Sequence, residues 1–289
     1  MNNKEKDTDK ILGMNRIMFF VIVILLCILS LSIGIYAQIF YRYSDTDPFM
    51  LGIGVGKTQE KAEITALKKG FNDIFTNDIT GQTRVNVKKK QDGKDIVYSS
   101  KNVNEKEEDK YNIVASIPHI NIDSSYAEKL NLMIDRDYVD RIEEIIQNSD
   151  ANIDYSVSYK AYLNGDLLSL IIKETIHEGK NPQSARIKTY NYYLAQNTEV
   201  SILDVAQAKK LDKNDMQKQI YAEIEENNKK IEQLKNQNNY SYKTRDKNDS
   251  MYKIENTENF MVDNNGYLYI IYAYGNKENT TSIDVVIFE

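Results

Sequence analysis

The chain has 289 residues, 37 Lys plus Arg against 43 Asp plus Glu for a formal net charge of −6, one cysteine and two histidines. One cysteine excludes an intrachain disulfide and a cysteine-built zinc site, two histidines leave little material for a metal centre, and the acidic balance argues against binding nucleic acid. The length, 41% apolar residues and only three prolines fit one or two folded domains, and nothing in the composition implies a cofactor.

Residues 1–16 form a short charged tail. The run IMFFVIVILLCILSLSIGIYA, from Ile17 to Ala37, holds 21 residues without an ionisable acid or base. At about 1.5 Å rise per residue it can cross a hydrocarbon layer of about 30 Å, so a transmembrane helix is predicted over 17–40, with the lipid bilayer as a partner. Tyr41, Arg42 and Tyr43 supply the aromatic and basic mixture of an interface. Lys4, Lys6, Lys10 and Arg16 precede the run, against Arg42 and Lys57 soon after it, which places the N-terminus in the cytoplasm and the bulk of the chain outside. The run is longer than a cleaved signal core and no Ala-x-Ala closes it, so an uncleaved anchor is expected. Leu26 before Cys27 is not the small residue a lipid-attachment site would have, so Cys27 reads as a helix residue. The tail carries four cations and three acids, which leaves the exported part at −7.

Residues 41–110 read as a membrane-proximal α+β segment. After a tether to about Met50, Ala62, Ala66, Leu67, Phe71, Ile74 and Phe75 share one stripe and predict a helix from Thr58 to Phe75. Val85 and Val87, the turn Asp92-Gly93, then Ile96 and Tyr98 predict a hairpin, and the charged run 101–110 is expected in solvent.

Residues 111–289 read as a second unit. IVASIPHINI predicts a strand, and Ser125 with Glu128 offers a capping box for a helix to Ile146, with Leu130, Ile134, Tyr138, Ile142 and Ile145 on its apolar face. Tyr155, Val157, Tyr159, Ala161 and Leu163 alternate along a strand ending at Asn164-Gly165, a strong hairpin signal, with DLLSLIIKETI as the return. Arg186–Leu194 alternates again. A turn at Gln196-Asn197 and SILDV precede a helix from Lys213 to Ile231, striped by Met216, Ile220, Ile224 and Ile231. The Asn/Lys-rich stretch up to Ser250 reads as a helix tail or exposed loop, and NFMVD, YLYIIYAY and IDVVIFE as closing strands. The fold class is α+β, with exported antiparallel sheets packed with helices.

Few motifs carry chemistry. GIGVGKT lacks the glycine that a phosphate loop needs five residues before Gly56, where Leu51 stands, and reads as a strand-to-helix turn. His119 and His177 lie far apart and read as edge or surface residues. No Gly-x-Ser-x-Gly elbow surrounds any serine. The carboxylate pairs Glu143/Glu144 and Asp135/Asp137 could serve a cell-wall hydrolase as acid and base, though on a helix surface they are more simply a solvated face. The 21 tyrosines are explained first as half-buried strand residues. No catalytic, metal or cofactor residue is assigned, and ligand-binding residues are unknown at this stage.

From IVASIPHINI through KLNLMIDRDYVDRI, YSVSYKAYLNGDLLSLIIKETI, GKNPQSARIKTYNYYLAQNTEVSILDV and NFMVDNNGYLYIIYAY, about 60% of the chain, the order of elements resembles the extracytoplasmic domain shared by RsiV-type anti-sigma-V factors and the non-catalytic part of the peptidoglycan deacetylase PdaC. Where members commonly show Gly-Ala-His-Pro, this chain has Gly179-Lys180-Asn181-Pro182, and sixteen residues ahead of the apolar run are too few to grip a sigma factor. The resemblance implies a non-enzymatic sensor or binding domain at a bacterial cell surface, with lysozyme, a basic protein, or a cell-wall polymer as ligand. The acidic exported part suits a basic partner. The alternatives are the hydrolase above and an anti-sigma-type signalling protein regulated by proteolysis near Ser30, Ser32 and Gly34.

Overall fold

The computed structural model describes residues 10–11, 14–15, 55–148, 152–238, 243–275 and 281–289. The expected transmembrane helix over 17–40, the tether, Cys27 and the small residues Ser30, Ser32 and Gly34 lie outside them. Among the described residues no helix is long and apolar enough to cross a membrane. The chain divides into two compact units, residues 1–66 and 67–289. In the first, Lys10–Ile11 pairs antiparallel with Met14–Asn15, and helix α1 (Val55–Gly70) begins; a 3₁₀ turn, Phe71–Asp73, follows α1 where a single helix to Phe75 was expected.

The second unit is α+β. Its larger sheet holds β1 (Ile79–Thr83), β2 (Val97–Glu107), β3 (Tyr111–Ile120), β4 (Ile153–Gly165), β5 (Leu167–Glu178), β6 (Ser184–Tyr193) and β7 (Thr198–Glu199), in the order β2-β3-β4-β5-β6-β7 with β1 also on β4. The expectation of purely antiparallel sheets is corrected: β3 and β1 both run parallel to β4, end to end along the same side of it. Helical chain between β3 and β4 makes the first parallel pairing possible, because such a pairing needs a crossover rather than a tight turn. Gly81 permits the second. It sits at φ +100°, and a Cβ there would lie 2.1 Å from the Leu163 carbonyl oxygen, so only glycine fits.

In residues 84–110 one expectation fails and another is met. Val85 and Val87 are partly buried against the core from a loop, so there is no hairpin at Asp92-Gly93. The charged run 101–110 lies largely in solvent, as expected, and 101–107 is the outer half of β2, paired with β3 from Lys101↔Ile117 to Glu107↔Tyr111. It is an edge strand, and Val97 and Val103 turn inward while Lys101, Glu105, Lys106 and Glu107 guard the open edge. The boundary expected at 110/111 therefore falls in a turn inside one sheet, with Asp109 at φ 63°.

One face of the sheet is covered by helices α2 (Ser125–Ile134) and α3 (Asp140–Asn148), joined through a π-helical turn at Asp135–Val139. A straight helix was expected, and the apolar spacing explains the departure. Leu130, Ile134, Tyr138 and Ile142 repeat every four residues, which drifts about 40° per step around a regular α-helix. The wider π turn takes up the extra residue and keeps all four buried on one side. The N-cap is Ser124, whose hydroxyl accepts from Ala127 N at 3.1 Å; Glu128 pairs with Lys90 instead of closing a capping box. This layer packs on the alternating residues of β4 as the sequence pattern expects: Tyr155, Val157, Tyr159, Ala161 and Leu163 are all buried there.

The other face is covered over β4–β6 by a second sheet, β8 (Phe260–Val262), β9 (Leu268–Ala273) and β10 (Ile283–Phe288), all antiparallel. Ser169, Thr189 and Asn191 join the two sheets. Ser169 Oγ accepts from Val262 N at 3.0 Å, Asn191 Nδ2 donates to Phe260 O at 2.7 Å, and Thr189 Oγ1 accepts from Phe260 N at 3.1 Å. Beyond the second sheet lie α4 (Ile202–Ala208), which carries a capping box of Ser201 and Asp204, and α5 (Lys213–Asn238). Met216, Ile220 and Ile224 pack on Phe260, Ile270 and Val286 there. The part of the polar stretch that is described is not all solvated: Asn228 brackets the backbone of Arg245, whose buried guanidinium meets Asp284 at 2.9 Å.

Candidate functional site

An open groove of about 1080 Å³ lies at the end of the β5–β6 hairpin. The π turn and α3 form one wall with Asp137, Tyr138 and Arg141, the strands form the floor with Glu174 and Arg186, and Glu258–Asn259 form the far rim. Each part is fixed locally. The β5–β6 turn closes through Asn181 N to Glu178 O at 2.9 Å, with Gly179 at φ 54°. Asn259 Oδ1 accepts from Thr189 N at 3.1 Å and holds the rim against β6. Gly275 lets the chain after β9 pass close by, since a Cβ there would lie 3.0 Å from Ala185 O.

Strand alternation sets what faces the groove. Glu174 is directly opposite Arg186 and Ile172 opposite Lys188, so these residues share the face covered by the helices. Lys188 Nζ donates to Asp137 Oδ2 at 2.5 Å and Arg136 reaches the same carboxylate at 3.2 Å. Burial alone would raise the Asp137 carboxyl; the Lys188 and Arg136 charges outweigh it and hold it below the usual range. Arg141 bridges Glu144 at 2.7 Å and Glu178 at 3.3 Å, tying α3 to the end of β5. Beneath them Tyr155 and Tyr190 are buried, the Tyr155 hydroxyl beside the Glu174 carboxylate and the Tyr190 hydroxyl beside Lys188. Burial, aided by the Glu174 carboxylate, pushes the Tyr155 phenol far above its ordinary value.

The residues singled out from sequence are distributed as follows. Asp137 lines the groove, whereas Asp135 accepts from His119 at 2.8 Å, Glu143 meets Lys101 at 3.4 Å and Glu144 meets Arg141. The carboxylates proposed for acid–base work are thus each held by a different basic side chain. His177 lies inside β5 rather than after its end, and meets Asp154 at 3.5 Å beside a separate hollow of about 500 Å³. Among the described residues no cluster of three or more His, Cys, Asp or Glu could hold a metal. Gly56, Lys57 and Thr58 lie within the first turns of α1. The segment Gly179–Pro182, where the sequence departs from its look-alike family, forms the groove's lip through Asn181 and Pro182. Glu174, Glu178, Arg186, Lys188 and Glu258 were missed by the sequence reading. For the first four, the signal available was charges at even positions of two paired strands whose remaining even positions between 168 and 192 are apolar or tyrosine, apart from Ser184.

No family model matches the chain. No curated protein matches it. Among solved structures it is similar to a DUF3298 family protein from Pseudomonas aeruginosa, at 9% identity over 63% of this chain and 82% of that one with a TM-score of 0.38. It is also similar to a DUF3298 family member from Bacteroides fragilis, at 14% identity over 62% of this chain and 80% of that one with a TM-score of 0.36.

Proposed function

We propose that the protein is a single-pass, membrane-anchored binding or sensor protein whose unit 67–289 works outside the cell membrane and does no chemistry. The observation that carries the binding half of this reading is the groove itself: an open trough of about 1080 Å³ whose walls are fixed by cross-element ion pairs. Pre-set charge of this kind favours recognition and orientation of a polar ligand. The carboxylates considered for hydrolysis are held by separate basic side chains, which favours binding over acid–base catalysis. The uncharged run 17–37 supports the anchor, and the RsiV/PdaC-like order of elements supports a lysozyme-like protein or a cell-wall component as the ligand class.

The test is capture. Full-length chain on beads is offered lysozyme and, separately, insoluble peptidoglycan, beside a variant carrying Asn181→Trp to fill the groove from its lip. Capture of either that drops at least about tenfold in the variant supports the reading. Failure of the unaltered chain to hold either would end it.

A further inference from the structure

The larger sheet has a second open surface, on the face opposite the helices, and it does not depend on the groove. Asn104, Val114, Ser156 and Thr175 stand side by side there across β2, β3, β4 and β5, since Asn104 pairs with Val114, Val114 with Ser156 and Ser156 with Thr175. Residues paired directly across neighbouring strands share a face, so these four form one row. Lys106, Asn112, Asp154 and His177 form the next row in the same way. On the other side of the central row Asn102 pairs with Ser116, and Ser158 with Lys173. Hollows of about 330 and 500 Å³ lie on this surface and adjoin, because Val114 and Ser156 line both.

The composition is a poor one for a sheet. Asn and Asp are depleted in strands, yet Asn102, Asn104, Asn112 and Asp154 all stand here. Protection of an open edge accounts for charges on β2, but not for amides and hydroxyls on the inner strands β3 and β4. The polar groups are tied to one another in pairs. Ser116 Oγ donates to Asn102 Oδ1 at 2.7 Å, the Ser156 and Thr175 hydroxyls lie 2.5 Å apart, and Asn112 Nδ2 donates to Asp154 Oδ1 at 3.1 Å. Such pairs fix the groups in place and leave them further lone pairs and protons to offer. Formal charge stands outside the central row and is engaged: Lys173 donates to Asn72 at 3.1 Å and lies over the Phe75 ring, and Asp154 meets both Asn112 and His177. Val114, in the middle of the polar row, is 52% exposed.

We propose that this face binds an uncharged polysaccharide chain. The chain lies across the strands, with its hydroxyls bonded by Asn104, Ser156 and Thr175 and the C–H face of one sugar ring against Val114. The charge pattern selects this partner: a polyanion or a charged protein patch finds no counter-charge in the central row, whereas sugar hydroxyls match groups that both donate and accept.

The probes are cellohexaose and chitohexaose, uncharged chains without and with acetamido groups, titrated into isotope-labelled full-length chain kept in mild detergent and followed by backbone amide shifts. At least one is expected to move signals clustered on β2–β5 around Val114, with an affinity that changes less than about twofold between about 0.05 and 0.5 M salt, since no charge is neutralised. Val114→Lys, at an exposed position, should weaken binding at least about tenfold, and Asn104→Ala, a gentler change, at least about threefold. Asn181→Trp, at the lip of the groove, should leave it unchanged. No shifts with either hexamer overturns the inference, and the unaltered chain decides this even if a variant misfolds. Binding that both Val114→Lys and Asn104→Ala leave untouched overturns it too. Loss of the shifts in Asn181→Trp would put the sugar in the groove and have the same effect.

Discussion

Arg245 and Asp284 are buried together, and the two are not equivalent to lose. Asp284 also accepts from Tyr274 at 2.7 Å, and Arg245 lies over the Tyr274 ring at 4.6 Å. Truncating the acid would strand a guanidinium in the core, whereas an apolar replacement of the arginine leaves an aspartate that keeps its tyrosine donor. We expect Asp284→Ala to cost about 3 kcal/mol and Arg245→Met clearly less, read from urea unfolding midpoints. Gly81 makes a second demand on one position. Its added Cβ would overlap a backbone oxygen that cannot yield without moving β4, so Gly81→Ala should lower stability by about 2–3 kcal/mol in the same measurement. Nothing in the letters TGQ announces this, because the clash comes from a residue about 80 positions away in sequence.

Between elements, the link that shapes the groove is the Asp137–Lys188 pair joining the π turn to β6. Asp137 has a folded pKa below its unfolded one, so the pair adds stability above the ordinary aspartate range of about 3.9 and loses it as pH falls through the folded value. Asp137→Asn should therefore be less stable than the parent at pH 7 but show a shallower loss between about pH 5 and 2, followed by circular dichroism at fixed urea. The elements were legible from sequence to different degrees. Period-two runs with a turn signal, such as Tyr155–Leu163 closing at Asn164-Gly165, could be read directly, as could the α5 stripe. β2 could not, because edge strands carry charges for protection and so resemble loops. Parallel pairing of β1 and β3 with β4 leaves no local mark either, and Lys160 hid it further: buried, it reaches Asp78 at 2.5 Å instead of pointing to water. The groove was the least legible, since its walls come from 137–141, 174–188 and 258–259, and of these the sequence singled out only Asp137 and the segment Gly179–Pro182.

For the whole molecule, the proposal places one folded unit behind one apolar segment. Replacing three alternate leucines or isoleucines of 17–37 with aspartate should move the chain from the membrane pellet to the soluble fraction without altering its denaturant midpoint, because the unit 67–289 has its own cores. Persistence in the pellet would refute the anchor. Those cores form the layers helix, sheet, sheet, helix, and the polar stitches of Ser169, Thr189 and Asn191 between the sheets give the layers one register. A hydrophobic contact alone could slide; three hydrogen bonds to successive backbone groups cannot.

The π turn, finally, is a surplus residue. Deleting Asp137 would convert the four-residue spacing at that point to three and bring Leu130, Ile134 and their successors into the heptad-like rhythm a plain α-helix prefers. The shortened chain should keep its hydrophobic seam and mend its hydrogen-bond ladder, yet the rim would lose its acid and Arg141 would arrive about 1.5 Å early along the axis. Helix regularity and the groove would then part company, the one gained as the Asp137–Lys188 pair is lost.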